Sequence, residues 1–135
     1  MKKLVWSVFV GMLVFSTANA NVVSGTKERI QIIGDSLLNN VLDGMKINDY
    51  AKYSRDFDVA MKDALPEKAF IATNKQIIEL FGEYKNSEYL GFLNQKKTTM
   101  FLWKGFFSKS QDDILIKLVV SETDGKYLIS GLWFQ

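Results

Sequence analysis

The side chains that most often do chemistry are missing from this chain, whose 135 residues include no histidine and no cysteine. Imidazole acid–base catalysis, thiol nucleophiles and the usual zinc sites therefore have nothing to work with. Carboxylates, lysines and tyrosines remain. Asp56 and Asp58, two apart around Phe57, begin like a calcium loop. That loop next needs an oxygen ligand and a glycine, and positions 60 and 61 are Ala and Met, so the spacing fails. Asp58 reads better as a helix cap, and Asp112-Asp113 as a polar turn. Tyr and Trp carry a hydroxyl or N–H that wants a partner when buried, which suits them to line a pocket. Tyr50, Tyr53, Asp56, Phe101, Trp103 and Trp133 are thus the ligand-binding candidates. Their competing role is core, the usual fate of aromatics at helical or strand spacing. No catalytic residue, metal or cofactor is assigned.

Gly34-Asp35-Ser36-Leu37 spells the nucleophile block of GDSL-type esterases and lipases. A serine hydrolase needs a base for the serine proton, and no histidine exists to supply it. The block should also follow a strand in a larger α/β domain. Here Ser36 lies inside an amphipathic helix, between Ile33 and Leu37 on its buried face. The match is coincidental.

That helix is the best defined element. Ile30, Ile33, Leu37, Val41 and Met45, widened by Leu38 and Leu42, step by three and four from Thr26 to Met45. Lys27, Gln31, Asp35, Asn39 and Asp43 take the wet side, and Gly44 lies near the end. Asn48 is placed to cap a second helical stretch through Tyr50, Tyr53, Phe57, Met61 and Leu65, with a break near Asp56–Asp58. Pro66 suits the first turn of a third helix carrying Phe70, Ile77, Ile78 and Phe81, which Gly82 stops. The period then falls to two. Strands are expected at Tyr84–Leu93, Thr98–Phe107, Ile114–Ser121 and Lys126–Phe134, with turns at Asn94–Lys97, Ser108–Asp113 and Glu122–Gly125. Asp124-Gly125 is the strongest hairpin signal. Helices followed by an antiparallel meander make an α+β domain. An outer-membrane barrel, which takes about eight strands or more, does not fit in what remains.

The first twenty residues read as a secretory leader. Lys2 and Lys3 form a positive start, Leu4 to Phe15 a short apolar run, and Ala18-Asn19-Ala20 a small-residue cleavage site. The run is shorter than the ~20 residues that span a bilayer. The expected product is one domain, Asn21–Gln135, exported to the periplasm or beyond and not anchored in the membrane. Lys2 and Lys3 also account for the formal charge of +2, so the processed domain is neutral and nucleic acid is not an expected partner.

Several strings resemble one family of small exported bacterial domains with the NTF2-like, cystatin-like superfamily fold. They are Asn48-Asp49-Tyr50 leading to Phe57, Met61-Lys62-Asp63-Ala64-Leu65-Pro66, Phe81-Gly82-Glu83-Tyr84, and Ile129-Ser130-Gly131-Leu132-Trp133-Phe134. The resemblance implies a cone: about three N-terminal helices packed into a curved antiparallel four-stranded meander. It supplies no catalytic residues to carry over. The wider superfamily holds both binding modules and enzymes, and its isomerases and dehydratases set an Asp with Tyr or His inside the cone. The leading expectation is a non-enzymatic domain that binds a small apolar ligand or a cell-envelope protein. One alternative is a histidine-free NTF2-like enzyme moving protons with Asp and Tyr. Another is a homodimer formed through the sheet, since Met100, Leu102, Phe106, Leu128, Leu132 and Phe134 make both faces of the second and fourth strands apolar.

Overall fold

The computed structural model describes residues 8–12, in their backbone alone, and residues 19–135. The rest of the expected leader, residues 1–7 and 13–18, lies outside the described residues. The elements in chain order are β1 (Val8–Met12), β2 (Ala20–Asn21), α1 (Lys27–Lys46), α2 (Tyr50–Tyr53), α3 (Val59–Ala64), α4 (Glu67–Phe81), β3 (Tyr84–Gln95), β4 (Thr98–Phe107), β5 (Ile114–Thr123) and β6 (Lys126–Phe134). The fold is α+β, with the helices lying in the hollow of a curled antiparallel sheet, consistent with an NTF2-type cone.

Helix α1 begins where the Thr26 hydroxyl accepts the Arg29 N–H at 3.2 Å, satisfying one of the free donors of the first turn. It ends in a Schellman closure. Asn48 takes a left-handed φ of 53°, its N–H reaches the Met45 carbonyl at 3.3 Å, and the Asp49 N–H reaches Gly44 at 2.9 Å. Asn48 therefore closes α1 instead of capping the next helix as expected. Asp49 caps α2, accepting the Lys52 N–H at 3.0 Å. Gly44 lies in the last turn of α1, near its end as expected. There the chain of α2 crosses so closely that a Cβ would sit 2.5 Å from the Tyr53 nitrogen.

The expected second helix is two short ones. The break falls at residues 54–58, and Asp58 restarts the chain as α3 by accepting the Met61 N–H at 2.7 Å. Among the described residues there are thus four helices, the expected second one being divided in two. Pro66 stands just before α4, and Gly82, at a φ of 84°, stops it. Buried amides tie this layer together. Asn40 donates to the Lys52 carbonyl at 2.7 Å, and Asn74 on α4 donates to Met45 at 2.8 Å and to the Asn48 side chain at 2.9 Å.

The meander β3–β4–β5–β6 is antiparallel throughout. Its strands start where the pattern placed them. β3 and β5 run two residues further, so the turns shrink to Lys96-Lys97 and Asp124-Gly125. Positive φ values of 50° at Asp124 and 77° at Gly125 match the twist of a tight hairpin. The meander has the four strands expected, and among the described residues two short strands add to the sheet: β1 pairs with the outer edge of β6, and β2 pairs with β5. A bulge at Ser130 of β6, the extra residue opposite Val119 and Val120 of β5, shifts the register between the two strands. Leu132 and Phe134 therefore face inward and are fully buried, which corrects the expectation that they add to an outer apolar face. Met100 and Leu102 are half-buried and Phe106 is exposed on that face.

Inside, Phe101, Trp103 and Phe107 of β4 meet Ile116 and Leu118 of β5, Leu132 and Phe134 of β6, and the apolar stripe of α1. Gly34 sits at the point of contact, where a Cβ would lie 2.5 Å from the Phe101 ring. An alanine on an open helix face stabilises by up to about 1 kcal/mol relative to glycine. At position 34 the overpacking term dominates, and Gly34→Ala is expected to destabilise by about 1–3 kcal/mol in urea unfolding. A stabilised variant would mean that α1 does not rest on Phe101.

Candidate functional site

A carboxylate, an indole and a phenol meet where α1 crosses the sheet. Gly34 brings the α1 backbone down onto Phe101, and this sets the next residue, Asp35, beside the floor of the cone. Asp35 Oδ1 accepts the Trp103 Nε1–H at 2.8 Å. Its other oxygen has Gln31 Nε2 at 3.4 Å, one helical turn back. Trp103 stacks on Phe101 with centroids 5.8 Å apart and planes 23° apart, and Tyr89 of β3 meets Trp103 edge-on at 5.9 Å. The Tyr89 hydroxyl is buried and has no hydrogen-bond partner among the described residues. Burial pushes its pKa up, and the negative charge of Asp35 pushes it further. At neutral pH the phenol therefore keeps its proton, a donor held near a carboxylate.

Such a pair has the elements of proton transfer or of a hydrogen-bonded ligand site, yet packing leaves little room for a substrate. Phe101 and Trp103 are 0% and 1% exposed. Two open grooves lie elsewhere. One, of about 580 Å³, runs from Asn19 to Ser24 beside the Asp124-Gly125 turn. The other, of about 490 Å³, lies between Arg29, Ile32 and Ser36 of α1 and Tyr127 of β6. Neither is lined by Asp35, Tyr89 or Trp103.

The residues singled out from the sequence fall into separate places. Tyr53 is buried against Phe57 and Phe70, with ring centroids 4.9 and 4.4 Å away, and its pKa is raised by burial and then by neighbouring Tyr50. Tyr50 is half-buried and donates its hydroxyl to the Leu65 carbonyl at 2.6 Å, pinning the end of α3. Asp56 pairs with Arg55, which approaches at 3.0 and 3.4 Å. Its carbonyl accepts the Ile129 N–H at 2.7 Å, as part of a bridge that holds Phe57 beside β6. Trp133 lies on the opposite side of the sheet, with Lys117 Nζ 5.1 Å from its ring. Only Tyr50 with Tyr53, and Phe101 with Trp103, are brought together. Among the described residues no three carboxylates gather in a way that could hold a metal.

Asp35 and Tyr89 were not among the candidates. The helical period places Asp35 on the wet side with Gln31, whereas both are half-buried. Gly34 was the available signal: a glycine within an apolar stripe marks a close approach, and the residue after it lies at the rim of that contact. No family model, curated protein or solved structure matches the chain.

Removing the acceptor while leaving the indole N–H buried should cost more than removing the unpartnered phenol oxygen. Asp35→Ala is expected to lose about 1–3 kcal/mol, and Tyr89→Phe to be neutral or slightly stabilising. Equilibrium unfolding of both variants checks this, and the opposite order would show that Tyr89 donates to Asp35 in solution.

Proposed function

We propose that the chain is an exported, non-enzymatic interaction domain of the NTF2-like type that engages a protein partner in the cell envelope. The carrying observation is the filled cone. Phe101, Trp103 and Phe107 are buried in the hollow where a small ligand would sit, and Gly34 presses α1 onto Phe101. A ligand of the size usual for such pockets needs some hundreds of Å³, and neither of the two grooves described above is lined by β4. The envelope as destination is supported by Lys2-Lys3, the Leu4–Phe15 run and Ala18-Asn19-Ala20. Among the described residues no helix is long and apolar enough to cross a membrane.

The surface supports contact with a macromolecule. The outer face of the sheet carries Leu93, Met100, Leu102, Phe106 and Trp133, interleaved with Lys104 and Lys117. Cross-strand pairs set Leu93 beside Met100, Met100 beside Val119, and Lys117 beside Trp133. An apolar patch broken and bordered by polar side chains is common on protein-binding faces. The second reading, proton transfer by Asp35 and Tyr89, has the unpartnered phenol in its favour and the packing around it against it.

Two measurements on the same protein separate these readings. A cone ligand at a hundred times its Kd would stabilise the fold by about 2.7 kcal/mol, readily seen in a melting curve. A panel of small apolar molecules is expected to leave the melting temperature unchanged. A photoreactive side chain at Phe106 is expected to give a discrete protein adduct in cells. A saturable rise in melting temperature that Trp103→Phe abolishes, with no adduct, would overturn the proposal.

A further inference from the structure

The outer edge of β6 is met at two places by two different segments. At its middle, Ile129 is bridged by the backbone on either side of Phe57: Ile129 N–H to Asp56 at 2.7 Å and Asp58 N–H to Ile129 at 2.9 Å. Further along, β1 lies antiparallel against β6, pairing Val8 with Phe134, Phe9 with Trp133, Gly11 with Leu132 and Met12 with Gly131. On the other side, Gln135 exchanges both main-chain bonds with Leu115 of β5, at 2.6 and 3.0 Å. Alternation along an antiparallel strand then turns the N–H and C=O groups of Phe134 and Leu132 towards the outer edge, where β1 meets them. The backbone of β1 also lies beside α3 and α4. The slot it fills thus has a strand on one side and helices on the other.

Val8–Met12 reads Val-Phe-Val-Gly-Met, apolar and uncharged. It falls within the residues whose removal on export is part of the reading above, on which this inference rests. Processing would vacate the slot and leave a short row of unpaired backbone groups on a strand whose inward side chains, Leu132 and Phe134, are core. Exposed edges of this kind pair with any suitable strand unless they are protected. The Phe57 bridge occupies the edge at Ile129 and so bounds the opening at Gly131–Phe134 on that side.

We propose that, in the processed domain, the Gly131–Phe134 edge is a strand-acceptor site. Its occupant is a short, extended, uncharged apolar segment of a partner protein, added antiparallel to β6 in the register that Val8–Met12 shows. Backbone hydrogen bonds from Leu132 and Phe134 hold the segment, as in other strand-addition complexes, and the uncharged, apolar sequence of Val8–Met12 sets the kind of segment expected there.

Amide hydrogen exchange at Leu132 and Phe134 tests this. In the full chain both amides are expected to be slow. In a Gly11→Pro variant, which removes a β1 donor without touching the core, they should exchange at least about tenfold faster. A peptide carrying Val8–Met12 between terminal lysines should restore slow exchange saturably, and the same peptide with Asp in place of Phe9 should not. The processed chain recovered from the exported fraction should behave as the variant does. Exchange that ignores both the variant and the peptide would overturn the site. Slow exchange that depends on protein concentration would assign the edge to a second copy and overturn it equally. A chain that is never processed would refute the export reading while leaving the peptide result standing.

Discussion

Between residue 34 and the ring of Phe101 there is no space for a methyl group, and the layout of the domain follows from that contact. A helix with a side chain at this point would stand further from the sheet and leave a gap over β4. Glycine removes the gap. The gain is the dispersion and burial of two large aromatic faces, worth about 1.5–3 kcal/mol for each fully buried side chain. The same closeness sets Asp35 against the indole of Trp103, so the one N–H on the cone floor that needs an acceptor finds a charged one at 2.8 Å. A charge-assisted bond of this kind is stronger than a neutral one and fixes the rotation of α1 over the sheet.

A second glycine repeats the device at the other end of the helix. Gly44 lets the backbone of Tyr53 cross α1, and Tyr53 then becomes the centre of an aromatic cluster with Tyr50, Phe57 and Phe70. Around these two contacts the short helices have few alternatives. The Schellman closure at Asn48, the caps at Asp49 and Asp58, and the buried amides of Asn40 and Asn74 each satisfy backbone groups that the close crossings would otherwise strand. With the interior filled, the proposed recognition falls to the outer face of the sheet and, once β1 is removed, to the far edge of β6.

Much of this was legible from residue patterns. The 3.6-residue period gave α1, the shift to a period of two gave the meander, and Asp124-Gly125 gave the last hairpin nearly to the residue. What escaped is physical in origin. The bulge at Ser130 changes which residues of β6 face inward, and alternation alone cannot register one extra residue. Asn48 and Asp49 are both good caps, and only the path of the chain decides which closes one helix and which opens the next. Pairing of β1 with β6 is a contact between the two ends of the chain, with no local signature. Tyr50, Tyr53, Phe101 and Trp103 are of the kind that lines pockets, but Tyr50 and Tyr53 pack among the helices and Phe101 and Trp103 pack on the sheet beneath α1, each pair in its own part of the core. Asp35 was hidden because a period assigns faces to a cylinder, while the glycine beside it tilts that cylinder into the sheet.

A filled cone makes one demand that a ligand-binding cone does not: its floor should become accessible only when the whole domain unfolds. The indole Nε1–H of Trp103 reports this directly through native-state hydrogen exchange across a denaturant series. Exchange governed by global unfolding, with the same free energy and the same denaturant dependence as equilibrium unfolding, is the expected result. Exchange through a low-energy opening that scarcely depends on denaturant would contradict it, because α1 would then lift from Phe101 and the cone would admit a ligand after all.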